Sequence, residues 1–114
     1  MSPASTIPPA QVRDAAPLFA ALGDETRLAL LLRLSSGGPG SIAQLSAKAQ
    51  VSRQAIRKHL DVLSAAGLVR SQRLGREHIW QLEPKRLSEA HRYLDRISAQ
   101  WDGALERLKR LVEE

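Results

Sequence analysis

The apolar positions fall into helical spacing close to the start of the chain. The spacing begins near Val12 and continues through Leu18, Phe19 and Leu22, until Gly23 stops it. Asp24 then offers an N-cap oxygen for a second helix, Glu25 to about Ser35, with Leu28, Leu31, Leu32 and Leu34 as its apolar stripe. Gly37-Gly38-Pro39-Gly40 closes it. Ser41 and Gln44, three apart, form a capping box for a short third helix whose inner face is Ile42, Leu45 and Ala49. Ser52 caps a fourth, which runs to Ala66-Gly67. Beyond Gly67 the period changes from helix to strand. Leu68 to Gln72 reads as one strand, Leu74-Gly75-Arg76 as a tight turn, and Glu77 to Leu82 as a second strand with His78, Trp80 and Leu82 on one face. Pro84 then opens a long helix reaching about Val112, whose Leu87, Ala90, Leu94, Ile97, Trp101, Leu105, Leu108 and Leu111 alternate by threes and fours. Residues 1–10, rich in Pro and Ser, read as a flexible tail, leaving 11–114 as one domain.

This order predicts a mainly α fold with a small β-hairpin, a winged helix-turn-helix of four helices, two strands and a fifth helix. In such motifs the second helix of the pair enters the major groove. Projected at ~100° per residue, the fourth helix divides cleanly. Arg53, Gln54, Arg57, Lys58 and Asp61 share an arc of roughly 140°, while Ala55, Ile56, Leu60, Leu63 and Ala66 lie opposite. Arg reads guanine through two hydrogen bonds, Gln does the same with adenine, and Lys reaches guanine or phosphate. Ser52 stands where its hydroxyl and the helix N-terminus face a phosphate. Arg73 and Arg76 tip the hairpin, placing them against neighbouring phosphates or the minor groove. The DNA-binding candidates are therefore Ser52, Arg53, Gln54, Arg57, Lys58, Arg73 and Arg76, on helix 52–66 and wing 70–79.

Charge sharpens this reading. The chain carries +5 overall, and residues 52–86 hold Arg53, Arg57, Lys58, Arg70, Arg73, Arg76, Lys85 and Arg86 against only Asp61, Glu77 and Glu83. The whole excess sits there, and the rest of the chain is balanced. Such focusing suits phosphate neutralisation with release of counterions. A chain of 114 residues without cysteine forms no disulfide or thiolate metal site, which favours a reducing cytoplasm. No leader and no run of the roughly 20 apolar residues needed to span a bilayer is present, so a soluble protein without membrane association is expected.

Three stretches resemble the ArsR family of winged-helix repressors: Leu18 to Leu34 (LFAALGDETRLALLLRL), Ser52 to Arg70 (SRQAIRKHLDVLSAAGLVR) and Gly75 to Pro84 (GREHIWQLEP). The middle one, with Lys58-His59-Leu60 ahead of Ala66-Gly67-Leu68-Val69, is the most specific. The resemblance spans about residues 17 to 112. It implies a homodimer built from the first and last helices, binding duplex DNA at a palindromic operator, commonly with repression relieved by a signal. The last helix supports the dimer independently, since ~28 residues extend ~42 Å, farther than so small a domain covers alone. The sequence departs from metal-sensing members. The third-helix region Ser41 to Ala47 offers no Cys, His or acid, and on the last helix only His91 and Asp95 come close to a ligand pair. No metal, cofactor or identified effector is expected.

The remaining polar and aromatic positions read as structural. His59 falls toward the apolar arc as a half-buried residue donating to a backbone carbonyl. His78 is an exposed wing residue and His91 a solvated or interface one. Trp101 belongs to the dimer seam, with the wall of a small ligand pocket as the alternative. Trp80 packs beneath the wing, Arg27 is a salt-bridge partner, and Gln44 is a cap. No nucleophile–base pair or phosphate loop supports an enzyme. Two rivals remain: a winged helix whose basic face engages an acidic protein, and a metal-responsive repressor.

Overall fold

A computed structural model describes residues 7–47 and 49–113. The elements run α1 (Pro9–Leu22), α2 (Glu25–Gly37), β1 (Gly40–Ser41), α3 (Ile42–Ser46), α4 (Arg53–Ala65), β2 (Val69–Leu74), β3 (Glu77–Leu82) and α5 (Pro84–Glu113). Helix α1 begins at Pro9, earlier than the periodicity indicates, because proline at the first helical position lacks only an N–H that would be unpaired there anyway. Of the expected tail, residues 1–6 lie outside the described residues.

Local chemistry sets the boundaries. The Asp24 carboxylate accepts the backbone N–H of Arg27 at 3.0 Å and caps α2. The Arg27 side chain is not the expected salt-bridge partner: its Nε donates to the Ala21 carbonyl at 2.6 Å, capping the last turn of α1. Ser41 and Gln44 form the reciprocal capping box, at 2.9 and 3.2 Å. Helix α4 ends in a Schellman motif. Leu68 N–H reaches the Leu63 carbonyl at 3.0 Å and Gly67 N–H the Ser64 carbonyl at 2.9 Å, with Gly67 at φ 79°, where a side chain would be strained.

The hairpin turn consists of Gly75 and Arg76 alone, since Leu74 already pairs with Glu77. A positive φ of 64° at Gly75 but not at Arg76 is the type II′ pattern that matches strand twist. The first strand thus runs to Leu74 rather than to Gln72. A third strand, β1, goes unpredicted because two residues carry no periodicity; Gly40 pairs with Trp80 and Ser41 with Ile79, giving the order β1-β3-β2.

The core gathers Leu18, Ile56, Leu60, Leu63 and Leu68, all fully buried, around Leu30, Leu31, Leu34, Leu45, Val69 and Trp80. On α2 the buried row is Leu30, Leu31 and Leu34, whereas Leu28 and Leu32, expected in the stripe, are exposed. Helix α5 contributes Ala90 to the core, with Leu87 and Tyr93 packed at its edge. From Trp101 onward its apolar side chains are exposed, and the 30-residue helix gives the molecule a 65 Å long dimension. Among the described residues, no helix is long and apolar enough to cross a membrane.

Candidate nucleic-acid interface

Helix α4 is held by one face and shows the other to solvent. Ile56, Leu60 and Leu63 lock the inner side into the core, which fixes the rotation of the helix. Arg53, Gln54, Arg57, Lys58 and Asp61 then stand exposed together. Ser52 Oγ accepts the N–H of Ala55 at 3.1 Å and caps the helix. The same hydroxyl keeps its proton as a donor for an outside acceptor.

The hairpin lies against this helix through Arg57. A cleft lined by Ser41, Ile42, Ala43, Arg57, Glu77 and His78 separates the start of α3, the outer face of α4 and the turn end of β3. Arg57 bonds to Asp61 at 3.2 Å, and its guanidinium carbon lies 5.7 Å from the centre of the Trp80 ring. Trp80 itself is buried. Farther along the wing, Arg73 pairs across the strands with His78 and its Nε donates to the Gly75 carbonyl at 3.2 Å. Arg76 occupies the second turn position, exposed. Arg57 and the Arg73–His78 pair are thus joined by one surface, with Arg76 at its far tip.

Not all the basic residues of the 52–86 stretch belong to that surface. Arg86 is largely enclosed: Nη1 lies 3.0 Å from Asp14 Oδ2 and 2.6 Å from Glu89 Oε2, and Nε donates to the Ala66 carbonyl at 3.2 Å. Arg70 lies 3.5 Å from Glu83. Linear charge density therefore overstated the basic surface, because it cannot distinguish a cation that faces solvent from one that caps a neighbouring helix. Hydrogen bonds from Arg86 and from the Tyr93 hydroxyl hold the Asp14 carboxyl below its usual range. The same contact with Asp14 raises the Tyr93 phenol. The Tyr93–Asp14 hydrogen bond is not legible in the sequence, because a partnership across 79 positions has no local signature.

The other assigned positions divide. His59 is half-buried, as its projection indicates, but its Nδ1 faces the Asp24 carboxylate at 3.8 Å rather than a backbone carbonyl. The main-chain N–H of Arg27 is the chief cause of the lowered Asp24 carboxyl, with His59 adding to it. His78 is exposed on the wing. His91 lies 3.4 Å from Asp95, both well exposed, and no group of three His, Cys, Asp or Glu able to hold a metal occurs among the described residues. Trp101 is 68% exposed in the single chain.

Comparison with known proteins places this architecture. Residues 22–72 match the model of a helix-turn-helix domain family. The chain is 37% identical over 93 residues to the HTH-type transcriptional regulator Rv2034 of Mycobacterium tuberculosis, covering 82% of this chain and 83% of that one. It is 32% identical over 99 residues to the HTH-type transcriptional repressor SmtB of the same organism, covering 86% and 71%. Among solved structures, the ArsR-like transcriptional regulator from Rhodococcus sp. RHA1 superposes with a TM-score of 0.75 at 40% identity, covering 90% of this chain and 95% of that one.

Proposed function

The chain belongs to the ArsR family of winged helix-turn-helix, DNA-binding transcriptional regulators, and on that premise we propose that it acts in the cytoplasm as a homodimeric repressor reading an inverted-repeat operator. The observation that carries this is the exposed face of α4, where Arg53, Gln54, Arg57 and Lys58 stand together beside a wing tipped by Arg73 and Arg76. Arg57 and Gln54 read base edges in the major groove; Ser52, Arg53 and Lys58 hold the phosphates that flank them. Arg73 and Arg76 grip the backbone or minor groove farther out. Pairing of α1 and α5 with a second copy covers the apolar side chains that α5 leaves bare and repeats the reading helix about a two-fold axis. Half-sites then fall about one helical turn, ~10 base pairs, apart.

Selection of bound duplexes from a random pool tests the assignment. Inverted repeats should be enriched. Arg57→Ala and Gln54→Ala should each relax the preference at their own base pair, costing roughly 1–3 kcal/mol there. An operator preference untouched by Arg57→Ala would show that α4 does not read the site in this way.

A further inference from the structure

The Arg57 guanidinium is held from two sides. Its Nε faces Asp61 Oδ1 at 3.2 Å, and its carbon stands 5.7 Å from the centre of the Trp80 ring. Trp80 belongs to the middle strand of the sheet, opposite Gly40 of β1 and Ser71 of β2, and is 3% exposed. A fixed residue of the wing thereby supports a solvent-facing residue of the reading helix.

Helix energetics do not account for this arrangement. In α4 the cation lies toward the N-terminus and the acid four residues later, the reverse of the order that the helix dipole favours. The two side chains are 51% and 58% exposed, a setting in which an ion pair adds little stability. Its geometric consequence is larger. With Nε engaged by the carboxylate, the two terminal nitrogens remain as a planar fork, the shape that donates to O6 and N7 of guanine. The ring 5.7 Å away flanks the guanidinium on its other side, so less rotamer freedom is lost when DNA arrives.

We propose that Asp61 and Trp80 are positioning residues that pre-set Arg57 to read a guanine, which makes the wing part of base recognition as well as of backbone grip. This rests on the reading of Arg57 as a base contact, and the test separates the two. Full-length protein is titrated against the selected half-site and against duplexes with that guanine replaced, giving a discrimination ratio at one position. The ratio in the unsubstituted protein should lie between about 5- and 150-fold, and Arg57→Ala should abolish it. Asp61→Asn should lower it by roughly 3-fold or more, to a value still above that of Arg57→Ala. Affinity for random duplex should hold or rise in that variant, because a carboxylate leaves a phosphate-facing surface, with the salt slope unchanged. Trp80→Phe, which keeps an aromatic face, should retain most of the ratio, and Trp80→Leu should lose it.

An Asp61→Asn variant with full discrimination, at a position where Arg57→Ala loses it, overturns the proposal and leaves the base contact standing. Equal loss in Trp80→Phe and Trp80→Leu overturns the part assigned to the ring. Base preferences unaffected by Arg57→Ala would remove both readings. Should Trp80→Leu fail to fold, Asp61→Asn still decides the part of the carboxylate, and loss of the ratio in a folded Trp80→Phe overturns the part of the ring.

Discussion

Arg86 and Asp14, 72 positions apart, are joined twice: Nη1 donates to the Asp14 carboxylate at 3.0 Å and Nη2 to the Asp14 carbonyl at 2.9 Å. The same guanidinium reaches the Ala66 carbonyl, so one side chain ties α1, the end of α4 and α5 together. Arg86→Ala should lower stability by about 1.5–3 kcal/mol, since it takes this donor from the Ala66 carbonyl at the end of α4 and from the Asp14 and Glu89 carboxylates. Urea denaturation would show a lower midpoint with an unchanged slope. Arg86→Lys should recover less than half of the loss, because an ammonium cannot span these acceptors as a fork does.

The depressed Asp14 carboxyl gives this link a pH dependence. Its folded pKa lies below the ordinary value of 3.8, chiefly through the Arg86 hydrogen bond and then that of Tyr93. A depressed acid contributes stability that is complete above its unfolded value and disappears as pH falls through its folded value. Asp14→Asn should therefore be less stable than the parent chain at pH 7, and the gap should close as pH drops below about 4. Denaturation curves collected from pH 7 to pH 2 check this; a constant gap would contradict it.

Two glycines should respond in opposite senses. Gly67 has a φ of 79°, and a Cβ added there would meet Arg86 Cγ at an ordinary 3.5 Å, so the cost of Gly67→Ala is backbone strain of about 1–2 kcal/mol. Gly103 lies inside α5 without a positive φ. Gly103→Ala should stabilise by about 0.5–1 kcal/mol, seen as a raised Tm.

The bare C-terminal half of α5 bears on assembly. Leu105 and Leu108 are 63% and 57% exposed in the single chain. The double substitution Leu105→Glu with Leu108→Glu should give a monomer in sedimentation, with the far-UV spectrum of a folded winged domain. Its affinity for an inverted repeat should fall by at least ~10-fold through loss of the second half-site.

The helices were legible because amphipathic period and caps are local. Ser41 with Gln44, Ser52 and Gly67 marked their boundaries correctly, and the polar arc of α4 followed from ~100° arithmetic. What escaped was tertiary. Strand β1 exists because Gly40 lies against Trp80, not because two residues prefer to be extended. Leu30 replaced Leu28 and Leu32 in the core because the angle at which α2 meets its neighbours selects one side of a helix that is leucine-rich over much of its surface. Arg86 lies in a basic stretch of sequence, yet Asp14, Glu89 and the Ala66 carbonyl surround it in the fold. In the interface, residue types were readable, while the carboxylate and the ring that hold Arg57 were not.

The proposed function requires that the exposed cations of α4 and the wing grip a polyphosphate duplex. The direct measurement is fluorescence anisotropy of a labelled random duplex titrated with protein between ~50 and ~200 mM salt, with Arg76→Ala alongside. The expected result is micromolar binding at low salt, log K falling linearly with log salt, and a slope smaller by about 1 in Arg76→Ala. No binding at the lowest salt, or an affinity indifferent to salt, would contradict it.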